Sequence, residues 1–554
     1  MLCTQLTRGE YAIELLESSG FKQKWGFLAA KCPGFTRLQE PDFLGIWYQV
    51  YQEVYEPVII TALDEREELV AFLGLAWHKQ GHYLQHAGNA EYHGWLCSPE
   101  LEVPFLQAVL SCIREQLSIK KWEWHWMPSG LGADSLKTAM GPNEYLVVEE
   151  QFAPVWDLSD RAKLNKVLKN KSLKSKFNRY KKRGDFRFEL ITDPGKLKKT
   201  LAIAKDQYDL RREALNNVRP FAEDHYMIAF CSKLLAIPGL LHVSTLWLDD
   251  QLLACHMGVS DKQRVCLGMI SHDPTESKQS PGTLLLAELA KSLTKNGYQL
   301  FDLTPGTNSY KDRYANASQI LYKPTIYFSK ASYFSGIAKH SLTTTGKKIL
   351  GYANVSVPAM RKWKTNLKEF STKIRLPLKK KLPFLYEINI SNNIFFTYLS
   401  GSVHVQAYQD LLKYQDQKPY LSRRELLQIA LRKFSQGEVL YSKVQDGRLI
   451  WFAWKKKTTG KIRSRNNPKE IQLPPESEIL YDFYLHSIFG DKEMFYDNLL
   501  YTIKEIHHHG TKLLHVCLDE DFQQIGEKLK KACELTRIDM PAIFKDSDLI
   551  NLKP

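Results

Sequence analysis

The chain lacks any apolar run near the ~20 residues that a membrane-spanning helix requires, and its mean hydropathy is −0.35. It has nine cysteines in 554 residues, an odd number, and no two form a CxxC pair. A structural zinc site or a secreted disulfide framework would need closer spacing. Most of the thiols sit in apolar stretches such as LLACHMGV and RVCLGMIS, the setting of a small buried hydrophobe. Low-complexity and disordered classes are excluded, because 44% hydrophobic and 25% charged residues are ordinary for folded protein. The opening MLCTQLTRGEYAIELLESSG carries acids inside its first apolar stretch and no signal-peptide core. The cytoplasm is therefore the expected compartment. At about 150 residues per domain, the length implies three or four domains.

What is present in excess is positive charge, +15 overall. Twelve Lys/Arg against Asp185 alone give +11 over 161–187, and nine against Glu369 alone give +8 over 361–381. The remainder of the chain is close to −4. Such runs bind polyanions (nucleic acid, anionic lipid or a phosphorylated carrier) or form solvated helix faces.

Hydrophobic periodicity then shows one plan three times. In the first copy PVIITAL and ELVAFLGLAWHK are β-prone runs about a charged turn. HYLQHAG, the helical VPFLQAVLSCIREQL and the alternating KWEWHWMP follow. In the second, LLHVSTLWL meets LLACHMGVS across Asp249-Asp250-Gln251, a hairpin signal. RVCLGMIS, the helical LLLAELAKSLTKNG and YQLFDL complete it. The third has EVLYSKV, LIWFAWKKK, EILYDFYLHSIF, the helical MFYDNLLYTIKEIHHHG and TKLLHVCLD. Each copy reads hairpin, central strand, helix, strand, so its last strand is expected parallel to the central one.

This plan resembles the core of the GNAT acyltransferase superfamily. The second copy is most similar to the CelD-like (BioF2-like) acetyltransferases related to the FemAB peptidyltransferases. HDPTESKQSPGTLLLAEL, FDLTPGTNSYKDRYA and LKSKFNRYKKRGDFRFELITD carry that resemblance over about 155–330. FTRLQEPDFLGIWYQVYQE and HAGNAEYHGWL extend it to 35–155, and element order extends it to 385–554. The fold class it implies is α/β (α+β), as tandem GNAT-like units with mixed central sheets flanked by helices. The expected segments are a GNAT-like unit at 1–155, the acyltransferase unit at 156–330, a basic linker at 331–384 and a degenerate GNAT-like unit at 385–554.

An acyl-CoA transferase must hold a pyrophosphate, and a helix N-terminus with unpaired N–H groups does this. Ser280, Gly282 and Thr283 have the composition for that role, with Pro281 suited to a first helical turn. An ordinary capped helix has the same composition. The resemblance implies that the thioester lies where the parallel strands part, beside the backbone of RVCLGMIS, with FDLTPGTNSYK facing the same cleft. Asp302 is the first choice for general base or amine-orienting group, and Tyr310 for protonating the leaving thiolate. Lys311 is placed to pair with phosphate or a substrate carboxylate, and His272 and Asp273 are the second acid/base choice. Asp302 could instead pair with Lys311 or Arg313, and Tyr310 could be a packing anchor. Arg211 and Arg212 resemble the family's acceptor-binding arginine region; a solvated helix end explains them equally well.

The superfamily's Q/RxxGxG/A loop is missing, with one glycine at the turn. The aminoacyl-tRNA donor of the FemAB relatives therefore stands as the alternative, with 161–187 as its binding surface. A non-catalytic scaffold is the third reading. No metal is expected, since His507-His508-His509 end a helix and adjacent residues point in different directions. The first and third copies carry acids at their helix starts (Glu100; Asp491 and Glu493), where a pyrophosphate would be repelled. The leading expectation is an N- or O-acetyltransferase acting from acyl-CoA on a saccharide or other small acceptor of cell-envelope or exopolysaccharide synthesis. Over 330–384, where Trp363, Phe370, Ile374 and Leu376 lie among Lys and Arg, an amphipathic linker helix and a peripheral membrane contact both stand open, and the sequence does not choose a role for 361–381.

Overall fold

The computed structural model describes residues 3–337 and 384–538, apart from breaks at 33–36, 89–91, 129, 262, 307–308, 391–400, 417–420, 459–460, 464–469, 475–476, 487–490, 519–521 and 534–535. The first stretch runs β1 (Cys3–Arg8), α1 (Glu10–Glu17), α2 (Ser19–Lys31), α3 (Pro41–Tyr51), β2 (Tyr55–Leu63) and β3 (Leu69–His78). It continues with β4 (Tyr83–His86), β5 (Leu96–Cys97), α4 (Glu102–Leu117), β6 (Lys121–Glu123), β7 (Met127–Pro128), α5 (Ala133–Ala139) and β8 (Tyr145–Asp157). Local signals start the helices. The Ser18 side chain accepts the Phe21 N–H, and Pro41 fills the opening of α3, where it has no helical bond to lose. β2 and β3 are almost continuously apolar because both faces are covered. Phe72 stacks on Trp25 of α2, while Ile60, Leu73 and Leu75 cluster with Phe105, Val109 and Ile113 of α4. Each large side chain buried this way contributes roughly 1.5–3 kcal/mol.

The middle stretch has α6 (Arg161–Leu168), α7 (Lys171–Lys181), β9 (Phe186–Leu190), α8 (Pro194–Asn216), α9 (Pro220–Glu223) and α10 (Met227–Leu235). Then come β10 (Leu241–Leu248), β11 (Gln251–Val259), β12 (Arg264–Cys266), β13 (Met269–His272), α11 (Pro281–Lys295), β14 (Leu300–Asp302), α12 (Ser309–Tyr314) and β15 (Ala317–Tyr327). Asp249, at φ +50, turns the expected hairpin between β10 and β11. One sheet has the order β13-β11-β10-β9, and another β12-β14-β8-β15-β6 with β7 on β15. The expected parallel pairing is present, Arg264–Cys266 against Leu300–Asp302. β8 and β15 pair antiparallel from Ala317↔Val155 to Tyr327↔Tyr145. Strands of the first and second copies thus share one sheet, and the position 155/156 falls inside β8.

The last stretch contains β16 (Phe384–Asn389), β17 (His404–Val405), α13 (Tyr408–Leu411), α14 (Arg423–Gln436), β18 (Val439–Gln445) and β19 (Arg448–Lys457). β20 (Lys461–Arg463), β21 (Glu470–Gln472), β22 (Glu478–Leu485), α15 (Lys492–His508), β23 (Leu513–Leu518), α16 (Gln523–Cys533) and β24 (Thr536–Ile538) follow. Ser422 and Glu425 form a capping box on α14, which ends at a left-handed Gly437. Seven strands form one sheet, β17-β18-β19-β22-β23-β16-β24, in which β22 and β23 are parallel.

Contacts divide the chain into two compact units. One comprises Met1–Ala204, Phe221–Ser271 and Gly282–Met360; the other comprises Lys205–Pro220, His272–Pro281 and Arg361–Pro554. Among the described residues no helix is long and apolar enough to cross a membrane. The 361–381 segment, whose role the sequence leaves open, lies outside the described residues.

Candidate functional site

In the first unit the central strand is interrupted where two sheets part. The β12–β14 ladder ends at Cys266↔Asp302, and β13 continues in the sheet of β11. Between them Leu267 donates its N–H to the Asp302 carbonyl at 2.8 Å. Gly268 has φ +48, and a Cβ on it would run into the Met257 carbonyl; a Cβ on Gly258 would collide with that of Cys266. Only glycine fits at these two positions, because backbone crosses backbone there. Fully buried His256 lies behind the bulge, with Nε2 3.2 Å from the Cys266 oxygen. A carbonyl only accepts, so Nε2 carries the proton. Burial pulls the pKa of His256 down to about 3.

Asp302 closes the parallel ladder and is 0% exposed. Its Oδ1 accepts the Thr304 N–H and the Tyr92 hydroxyl, both at 2.9 Å. Its Oδ2 lies 2.9 Å from the same hydroxyl and from Gln319 Nε2, and 3.5 Å from Arg264 Nη1. The general-base role expected of Asp302 does not fit this geometry, since donors already fill its lone-pair directions and water is excluded. Lys311 is 4% exposed, and its Nζ donates to the carbonyls of Thr304 and Pro305 at 2.9 Å and toward Thr304 Oγ1 at 3.4 Å. An ammonium has three protons. The expected pairing with a phosphate therefore gives way to a structural role, holding the turn at Thr304 (φ +58). Tyr310 falls within α12, and its side chain lies outside the described residues.

Other expected residues belong to the second unit. Arg211 Nη1 lies 3.0 Å from His272 Nδ1. Arginine only donates, so Nδ1 is the acceptor and the neutral ring carries its proton on Nε2. Burial, with the adjacent guanidinium, pulls the pKa of His272 down to about 3. It is a hydrogen-bond donor at neutral pH and lacks the tuning of a general base. Asp273 is spent as a cap, its Oδ1 accepting from Thr275 N–H (2.8 Å) and Oγ1 (2.6 Å). Arg212 lies over the Tyr208 ring, 5.8 Å from its centre. Ser280 is left-handed (φ +56), and α11 begins at the next residue. Gly282 and Thr283, in the first unit, are half-buried.

The first turn of α11 contains no acid. A sequence family described as an acetyltransferase (GNAT) domain matches residues 169–312. Residues 169–312 are thus similar to the acetyltransferase (GNAT) domain. Among solved structures, FemX is 11% identical (TM-score 0.41, 57% of this chain, 98% of that one). L-PGS from Bacillus licheniformis is also 11% identical (TM-score 0.37, 58% and 95%). A tandem GNAT protein from the clavulanic acid biosynthesis pathway is 12% identical (TM-score 0.34, 58% and 98%). No curated protein matches the chain.

Outside the matched GNAT domain the same plan is altered at its key points. In the third copy β22 parts from β23 after Leu480↔Val516, and Asp482 (φ +56) breaks its register, but Lys433 Nζ holds that carboxylate at 2.5 Å. Asp491 caps α15 through the Met494 N–H, putting a carboxylate where an anion would sit. In the first copy Glu102 opens α4 and accepts from Trp95 Nε1 at 3.0 Å. The rings of Trp122, His86 and His93 stack there at 5.2 and 4.6 Å. Sequence reasoning missed Tyr92, Gln319 and His256. Nothing local marks the first two, which meet Asp302 only through sheet pairing. His256 does sit two residues before a strand glycine, itself a sign of close backbone approach. Among the described residues no group of three His, Cys, Asp or Glu is placed to hold a metal ion.

Proposed function

We propose that the GNAT domain moves an acyl group from acyl-CoA to an amine or hydroxyl by direct attack, in the cytoplasm. The observation that carries this is the ladder ending at Cys266↔Asp302 with the bulge behind it, followed in the chain by a 15-residue helix whose first turn is free of acids. Parted strands leave backbone N–H groups to polarise a thioester, and the helix start suits a pyrophosphate. Ser280, Gly282 and Thr283 supply that turn. With Asp302 and Asp273 spent in hydrogen bonds, the acceptor enters as the neutral nucleophile. As the new C–N or C–O bond forms and the C–S bond breaks, the leaving thiolate takes a proton from Tyr310, the proposed donor, and the proton shed by the acceptor returns to the Tyr310 oxygen. The proposed acceptor is a cell-envelope or exopolysaccharide-related molecule, by family resemblance. A thermal-shift series with acetyl-CoA tests the donor. At 100 times the dissociation constant it adds about 2.7 kcal/mol, so an unmoved melting curve at millimolar ligand sinks the reading.

One observation favours a second donor, aminoacyl-tRNA. Lys171, Lys174, Ser175, Asn178, Arg179 and Lys182 line a trough of about 460 Å³ along α7. Each phosphate contact would add about −0.9 to the log–log salt slope on duplex and about −0.7 on single strands. Salt-insensitive or absent tRNA binding rejects this donor.

A further inference from the structure

Tyr92 lies 210 residues before Asp302 in sequence and outside the matched GNAT domain. It is 1% exposed, with its hydroxyl 2.9 Å from both carboxylate oxygens. That hydroxyl has one proton to give, which goes to the carboxylate, and it accepts in return from Gln319 Nε2 at 3.0 Å. Gln319 also reaches Asp302 directly at 2.9 Å, so three groups from three strands or loops close a ring. The same aspartate governs the two backbones that part here. Its carboxylate holds the Thr304 N–H, and its carbonyl holds the Leu267 N–H next to Gly268.

We propose that Tyr92 is a positioning residue of the acyltransferase centre: acting through Asp302, it fixes the gap between the strand leading into the bulge and the strand leading into the Thr304 turn. This rests on the reading that the parted strands receive the acyl donor. On this account the N-terminal segment completes a centre that the matched domain does not contain alone. Hydrogen bonds to a buried ion are stronger than neutral ones, and removing one leaves a desolvated oxygen short of a donor. Replacing Tyr92 by phenylalanine keeps the ring packing and deletes only that donor.

The test compares the full chain with Tyr92→Phe, and with Gln319→Leu as a second variant, by hydrogen-exchange mass spectrometry and acetyl-CoA calorimetry. We expect amides at 264–268 and 303–306 to exchange about tenfold faster while those of α4 keep their rate. The Kd for acetyl-CoA should rise about tenfold, a change of about 1.4 kcal/mol. The melting temperature should fall by no more than about 4 °C. Unchanged exchange at both segments overturns the proposal. Faster exchange with an unchanged Kd also overturns it, leaving Tyr92 a structural residue only. If the wild-type chain binds no acetyl-CoA, the donor reading fails instead, and the exchange comparison alone decides the clamp.

Discussion

His272 shows how one contact fixes a chemical role. Arginine cannot accept, so the 3.0 Å contact from Arg211 leaves Nδ1 bare and the proton on Nε2. With its pKa pulled to about 3, the ring stays neutral across the physiological range. Nitrogen NMR of the imidazole should show the Nε2–H tautomer with no titration between pH 5 and 8; a midpoint near 6.5 would contradict the assignment. The rate of acyl transfer should likewise show no inflection from this group. Residue identity alone pointed to His272 and Asp302 as chemical groups, and both do occupy organised polar settings. Their protonation and bonding were illegible, because they depend on Arg211, Tyr92 and Gln319, which lie 61, 210 and 17 residues away.

Among the elements, the bulge between β12 and β13 is the most constrained. Gly258→Ala would drive a methyl group into the Cys266 carbonyl and should cost about 1–3 kcal/mol. It should also weaken acetyl-CoA binding. Gly45→Ala, in α3, is the contrasting case: a Cβ there meets nothing within 4 Å, so it should stabilise by up to about 1 kcal/mol. Denaturant melts of both variants check the pair, and equal effects would count against a close backbone crossing. The hairpin at Asp249, the helix α11 and the parallel placement of β14 were all legible from apolar periodicity and turn residues. The break in RVCLGMIS was not, because a run apolar throughout hides a change of partner strand.

At the scale of the molecule, pairing between distant segments decides what folds together. β14 has β8 as its antiparallel neighbour through Val155, Trp156 and Asp157, and β15 lies on the other side of β8. A fragment of residues 156–330 loses most of β8 and should fail to fold, whereas the full chain should melt cooperatively; circular dichroism of the fragment checks this. The order hairpin, strand, helix, strand was readable in the sequence. In the first copy, however, the last strand, β6, pairs antiparallel with β15 instead of parallel with the central β4, and this sharing of one sheet between two copies was not readable. That sharing rests on rungs such as Ala317↔Val155, more than 150 residues apart. Acid stability is a second property of the whole. Buried His242 and His256 have folded pKa values lowered to about 4 and about 3. Below the unfolded value of about 6.5 the unfolded chain binds more protons, so stability falls as pH drops from about 6 toward 4. The slope approaches ~1.4 kcal/mol per pH unit for each ring. Urea midpoints at pH 7, 6 and 5 measure it, and a flat series would contradict neutral burial.

The central claim is that one of the three related folds, the one centred on the 264–272 bulge and α11, receives the acyl donor. Isothermal titration of the full chain with acetyl-CoA counts those sites. The account predicts a stoichiometry of one per chain, with binding weakened at least tenfold in Gly258→Ala. Two or more equivalent sites, or heat unaffected by that substitution, would contradict it.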